Sequence, residues 1–467
     1  MVYPFSRGVP FFVLMERFER RGREASRRGH KNTTGECGHP PLHVPPFVSY
    51  RRGRCPHRPA INHCTLQNLV LYFIHHRQIR GETMRAVGII CEYNPFHNGH
   101  KYQIEQAKKL SNCDVAVCVM SGSFVQRGDV ATFDKWSRAK VALQNGADLV
   151  IELPVRYVLQ SAEIFARGGV EMLKATGCID AISFGSECGD REKLVGCAKI
   201  LANEDDALKD KIESLMNEGK GYPVALREAV ATLYPHMEEV INNPNDMLGV
   251  NYIAEMIKSG ADFEVYPITR QGADHRSEKA EGIFASSTAI RNALAKGDDI
   301  SSLVPSVPDG CRYDTNRLEQ FILGFYRTAD AGKLKNIPGI EDGFENKLIT
   351  SAKQSTTLEE FFASLTSKRY TSSRVKRTVL AGLIGMEKET KADYIRVLGM
   401  TEKGAAFIKN AKDKATLPFV VKTADFEGNE NSSFIYDILA TDISSLAATD
   451  GKIRPSGADY YNSPVKI

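Results

Sequence analysis

Between residues 84 and 297, short apolar runs alternate with longer stretches whose apolar residues recur every three or four positions. The runs at 86–91, 114–120, 148–153, 180–184 and 263–268 predict strands. The stretches at 100–110, 134–145, 160–175, 190–202, 221–232 and 248–258 predict helices. Strands alternating with helices predict a parallel sheet covered by helices, a Rossmann-like α/β domain over 84–297. From 298 to 467 the period is mainly helical, at 314–329, 343–353, 357–366, 371–385, 402–411 and 433–447. A second, mainly helical domain is expected there.

Residues 1–83 have neither period and are broken by Pro. They carry 14 Lys and Arg against 5 Glu, a net of +9, whereas the rest carries −5 and the whole chain +4. The break makes Met84 the expected functional start, with 1–83 a disordered or mis-annotated extension. Cys37, His39, His43, Cys55, His57, His63 and Cys64 fit no usual zinc spacing. No apolar run reaches the roughly 18–20 residues of a membrane span. The ten cysteines are scattered without a C-x-x-C pair, which fits a reducing cytoplasm rather than a disulfide framework.

Chemistry concentrates in Glu92-Tyr93-Asn94-Pro95-Phe96-His97-Asn98-Gly99-His100, at a predicted strand-to-helix switch. The N-terminus of a helix offers unpaired N–H groups and partial positive charge to a phosphate. Gly99 removes a side chain where a nucleotide would approach the backbone. His97 and His100 can donate hydrogen bonds to phosphoryl oxygens during displacement. Of the eleven histidines only four follow Met84, and two of those are in this motif. A second element, Ser286-Ser287-Thr288-Ala289-Ile290-Arg291, places three hydroxyls before a helix. Alone it reads as an N-cap. Beside H-x-G-H it reads as a polyphosphate cradle closed by a guanidinium fork.

Further residues are placed by the strand ends. Gln126 and Arg127 follow the second strand at the expected ligand crevice. Gly185 leaves space for a nucleotide. Asn245 precedes a helix, and Arg270 follows the last strand. Lys135 and Arg138 read as surface charges and Trp136, the single tryptophan, as core. Arg369, Arg374, Lys376 and Arg377 form a basic run on one predicted helix. It is either a solvated face or an RNA phosphate contact with Tyr370 available for stacking.

The segments AVGIICEYNPFHNGH, SGSFVQRGDVATFDKWSRAKVAL, GADLVIELP, FGSE, NPNDMLGVNYI and SSTAIR, in this order, resemble the bacterial tRNA(Met) cytidine acetate ligase family of the HxGH nucleotidyltransferase superfamily. The resemblance implies an enzyme that activates acetate with ATP; the chemistry of ATP adds an expected Mg2+, for which the sequence shows no dedicated carboxylate cage. The resemblance also implies transfer of the acetyl group to N4 of the wobble cytidine of elongator tRNA(Met). His97 and His100 would be catalytic. The ATP site would comprise Ile90, Cys91, Glu92, Tyr93, Asn94, Pro95, Phe96, His97, Asn98, Gly99, His100, Lys101, Tyr102 and Gln103, together with Gly185, Asn245, Arg270, Ser286, Ser287, Thr288 and Arg291. Arg369, Arg374, Lys376 and Arg377 would meet tRNA. A cofactor adenylyltransferase of the same superfamily is the alternative enzyme. An RNA-binding protein with a degenerate nucleotide site is the alternative without catalysis.

Overall fold

The computed structural model describes residues 84–270, 284–341, 343–429 and 431–467. The expectations for 1–83 therefore lie outside the described residues. Strands β1 (Ala86–Cys91), β2 (Val115–Ser121), β5 (Leu149–Leu153), β6 (Ala181–Ser186) and β7 (Glu264–Thr269) form a parallel sheet in the order β5-β2-β1-β6-β7. A hairpin of β3 (Phe124–Val125) and β4 (Asp129–Val130) stands apart from it. The apolar runs are long enough to be buried on both faces, and β2 and β5 are buried throughout. Chain order reverses between β1 and β6. Their C-terminal ends diverge there and open a crevice, the usual ligand position in such sheets.

The segment from 298 onward is not helical throughout. Helices Glu319–Thr328, Phe344–Gln354, Leu358–Leu365 and Ser372–Leu383 pack around a core that includes Leu323, Leu348, Phe361 and Val379. The chain then returns to the sheet. β8 (Ile395–Met400) runs antiparallel to β5, and β9 (Phe419–Val420) and β10 (Val465–Lys466) pair with β8. Among the described residues, no helix is long and apolar enough to cross a membrane.

Buried charges hold this returning segment. Lys135 Nζ lies 2.8 Å from Glu152 Oε1 on β5 and 2.8 Å from Asp459 Oδ1. Arg396 on β8 reaches Asp459 at 2.6 Å and Glu152 at 3.4 Å. Arg138, also fully buried, donates to the carbonyls of Phe133, Glu92, Ser121 and Gly122. Lys135 and Arg138 are thus interior groups, not surface charges. Each is tolerated inside because its donors find carboxylates or carbonyls there.

Candidate active site

The site begins where β1 ends. Helix Asn98–Ser111 starts with His97 as N-cap, in extended backbone. The His97 Nδ1 accepts from the Gly99 N–H at 3.1 Å, and the His100 Nδ1 accepts from the His97 N–H at 3.2 Å. This reciprocal capping occupies both Nδ1 atoms as acceptors. The hydrogen-bond network therefore assigns the neutral rings' protons to Nε2. The rings stack with centroids 3.6 Å apart, and both residues line a crevice of about 770 Å3. Burial, with Arg270 and Arg291 nearby, pushes the His97 imidazole down to about 3. Burial, the His97 ring and Arg270 hold His100 well below the ordinary range. Both rings are neutral donors at pH 7.

The second element closes the same crevice. The Ser286 hydroxyl caps helix Ser287–Lys296 by accepting from the Ala289 N–H at 3.1 Å. Arg291 donates to the Asn94 carbonyl at 2.8 Å and to Thr288 Oγ1 at 3.1 Å. It thereby ties the hydroxyl-rich turn to the histidine motif, 197 residues away. Burial lowers the Arg291 guanidinium from its ordinary value.

The floor is locked from the β6 side. Glu187 accepts from the N–H of Asp246 at 2.9 Å and from Asn245 Nδ2 at 2.5 Å. Asp246 in return accepts from the Glu187 N–H at 2.9 Å. The start of helix Pro244–Ser259, with Asn245, is thus fixed at the crevice. A Cβ placed on Gly185 would stand 3.6 Å from the Arg270 Cγ, so any side chain there would enter the space facing Arg270.

Of the residues expected at the ATP site, Ile90, Cys91, Glu92, Tyr93, Asn94, His97, His100, Gln103, Gly185, Asn245, Arg270, Ser286, Ser287, Thr288 and Arg291 line this crevice. Pro95, Phe96, Asn98, Gly99, Lys101 and Tyr102 do not line it. Phe96 is in the core beneath the motif, and Tyr102 packs edge-on against Phe284. Sequence reasoning missed the far wall, Arg312 to Asn316 with Thr449. Asp314 to Asn316 fall in a stretch read only as the start of a helix, and these residues carry no ligand motif and reach the crevice only through the fold. Glu92, just after β1, accepts from the Gln126 N–H of the β3–β4 hairpin at 2.7 Å. Burial raises its carboxyl above the ordinary value.

The basic run is engaged with protein. Arg369 and Arg374 both pair with Glu341. Lys376 pairs with Asp129 at 2.9 Å, and Arg377 donates to the Gln126 carbonyl at 3.1 Å. Burial pushes Arg377 down to about 10. Tyr370 is buried and stacked on Phe344, with centroids 3.9 Å apart. Its ring is therefore not available to an RNA base, because Phe344 already occupies that face.

Residues 84–458 match the HIGH Nucleotidyl Transferase family. The chain is 37% identical over 406 residues to the tRNA(Met) cytidine acetate ligase of Caldanaerobacter subterraneus subsp. tengcongensis, covering 82% of this chain and 100% of that one. It is 34% identical over 389 residues to the tRNA(Met) cytidine acetate ligase of Bacillus subtilis, covering 78% of this chain and 92% of that one. Thermotoga maritima TmcAL, solved in a crystal with alpha-thio ATP, superposes with a TM-score of 0.74 at 30% identity. That match covers 82% of this chain and 100% of that chain.

Proposed function

The chain belongs to the tRNA(Met) cytidine acetate ligase family, and we propose that it activates acetate with ATP and acetylates N4 of the wobble cytidine of elongator tRNA(Met). The observation that carries this reading is the reciprocal capping of His97 and His100. It supplies two neutral Nε2–H donors at the β1–β6 switch point, facing a turn that ends in Arg291.

ATP lies along this crevice, its base toward Gly185 and Asn245. Its phosphates lie among His97, His100, Ser286, Ser287, Thr288 and Arg291, with Arg270 beside them. Mg2+ would accompany the triphosphate and would offset part of its charge. An acetate oxygen attacks the α-phosphorus, the bond to the β-phosphate bridging oxygen breaks, and pyrophosphate leaves. The imidazole N–H groups and guanidinium donors meet charge on the equatorial oxygens. Fixed dipoles that need no reorganisation are most effective there. The cytidine N4 amine then attacks the acetyl carbonyl. AMP leaves with the carboxyl-derived oxygen, and the nitrogen loses its proton. Arg369, with 72% of its side chain in solvent, is the member of the basic run placed to meet an RNA phosphate. The reaction suits the cytoplasm, where tRNA, acetate and ATP meet.

Acetate-dependent exchange of pyrophosphate into ATP tests the first step. Mass analysis of tRNA nucleosides after incubation with labelled acetate tests the second. Exchange that depends on a phosphorylated vitamin and ignores acetate would mark a cofactor adenylyltransferase instead.

A further inference from the structure

A second cavity of about 290 Å3 adjoins the crevice, and Val130 and Tyr313 line both. Trp136 lines it, beside Thr441, Ser444 and Asn462; the two hydroxyls donate to the Asp437 and Thr441 carbonyls and the Asn462 amide to the Ala458 carbonyl, so these groups face the cavity as acceptors. Tyr313 is fixed at the partition. Its N–H donates to the Thr132 carbonyl at 2.9 Å, and it forms an isolated antiparallel bridge with Ala448. Among the described residues, neither the Trp136 indole N–H nor the Tyr313 hydroxyl makes a hydrogen bond. Ile453, 39% exposed, lines the cavity too and is flanked in sequence by exposed Lys452 and Arg454. Tyr461, next to Asn462 in the chain, is 82% exposed.

Rings for stacking, acceptor oxygens with the Trp136 and Tyr313 donors for base edges, and exposed cations for phosphates are what a single-stranded RNA segment requires. The basic run at 369–377 lacks the ring, since Tyr370 is already stacked on Phe344. We propose that the second cavity binds the nucleobase adjacent to the acceptor cytidine in the RNA loop. Lys452 and Arg454 meet its phosphates, and Tyr461 stacks on a further base. The shared Tyr313 wall lets one strand place successive nucleotides in the two cavities. This site rests on the ligase reading above.

Trp136 is the chain's only tryptophan, so its emission comes from this cavity wall, where Lys135 Nζ stands 5.1 Å from the ring centre. The full chain is titrated with a stem-loop RNA carrying the target cytidine, following both tryptophan emission and RNA anisotropy. Emission is expected to change and to saturate with the same Kd. Tyr461→Ala is expected to weaken binding roughly five- to a hundredfold, with Tyr461→Phe restoring it. Lys452→Gln with Arg454→Gln is expected to make the salt dependence of log Kd shallower by about 1.4, two contacts at single-strand slope. RNA bound with unchanged emission overturns the assignment, as do variants that keep wild-type Kd and slope. An emission change driven by protein concentration without RNA overturns it in favour of self-association. Acetate-dependent pyrophosphate exchange by the wild type without RNA reports the ligase reading separately. If exchange is present and the tryptophan silent, only the cavity assignment fails; if exchange is absent, the ligase reading itself fails.

Discussion

Lys376 Nζ lies 2.9 Å from Asp129 Oδ1, joining helix Ser372–Leu383 to the β3–β4 hairpin that lines the crevice. Next to it, Arg377 holds the Gln126 carbonyl. These two cations position the hairpin from behind. Replacing both by Gln is therefore expected to lower the rate of acetate transfer and leave the salt dependence of tRNA binding unchanged. A phosphate-binding role would instead make that dependence shallower by about 0.7–0.9 per lost contact. Anisotropy at several salt concentrations, beside single-turnover acetylation, separates the two.

The same contact makes Gly128 irreplaceable. Its φ is +83°, and an added Cβ would come within 2.6 Å of the Lys376 Cβ and 2.7 Å of the Arg377 nitrogen. Gly128→Ala must force the hairpin off the helix or strain the left-handed turn, a cost of about 1–3 kcal/mol. The expected result is a melting temperature lower by several degrees and slower tRNA acetylation. Wild-type values for both would show that the turn moves without consequence.

The parallel strands and the two nucleotide motifs were legible because each is local: an apolar run, a turn, a cap. What escaped depended on partners remote in sequence. β8 contains Arg396, and an arginine inside a short apolar run argues against a buried strand. It is buried because Glu152 and Asp459, from elsewhere in the chain, meet it. Lys135 was misread as exposed for the same reason. The basic run reads as a solvated face or an RNA contact because Asp129, the partner of Lys376, lies 247 residues away. The 312–316 wall carries no ligand motif, only the beginning of a helical period.

Removing the donors should be separable from removing the cap. His97→Ala loses both the Nε2–H and the acceptor for the Gly99 N–H. His97→Asn keeps an acceptor suited to an N-cap. Both variants are expected to lose acetate-dependent pyrophosphate exchange by a hundredfold or more, about 3–4 kcal/mol of transition-state stabilisation. Only His97→Ala should also lose about 0.5–2 kcal/mol of stability. Near-normal exchange in His97→Asn would remove the imidazole from the chemistry.

The depressed imidazoles fix the sign of a pH effect. His97 titrates at about 3 when folded, against about 6.5 for an ordinary histidine. Between these values the unfolded chain takes up a proton that the folded chain refuses. Its contribution to stability is therefore present above 6.5 and is lost as pH falls toward 3. His97→Asn should flatten the fall in melting temperature between pH 7 and 4. For the same reason kcat/KM for ATP should show no limb near pH 6.5 from these rings. A limb there that vanishes in His97→Asn would mean that the imidazolium is the working form.

The buried cluster at the sheet edge should fail by orphaned charge. Lys135 is fully buried and answers Glu152 and Asp459 together. In Lys135→Met, Arg396 alone must balance both carboxylates in a water-poor site. Loss of one partner from a buried ionic group costs about 3–5 kcal/mol, mostly because the other charge remains without compensation. The expected result is a large fall in urea midpoint. Lys135→Met combined with Glu152→Gln removes one charge of each sign and should recover part of the loss. The C-terminal strands β8 and β10 meet the sheet at this edge, so their amides should lose hydrogen-exchange protection before those of β1 and β2. Equal urea midpoints for Lys135→Met and wild type would mean that the cluster is solvated or already neutral, and that apolar packing alone holds the edge.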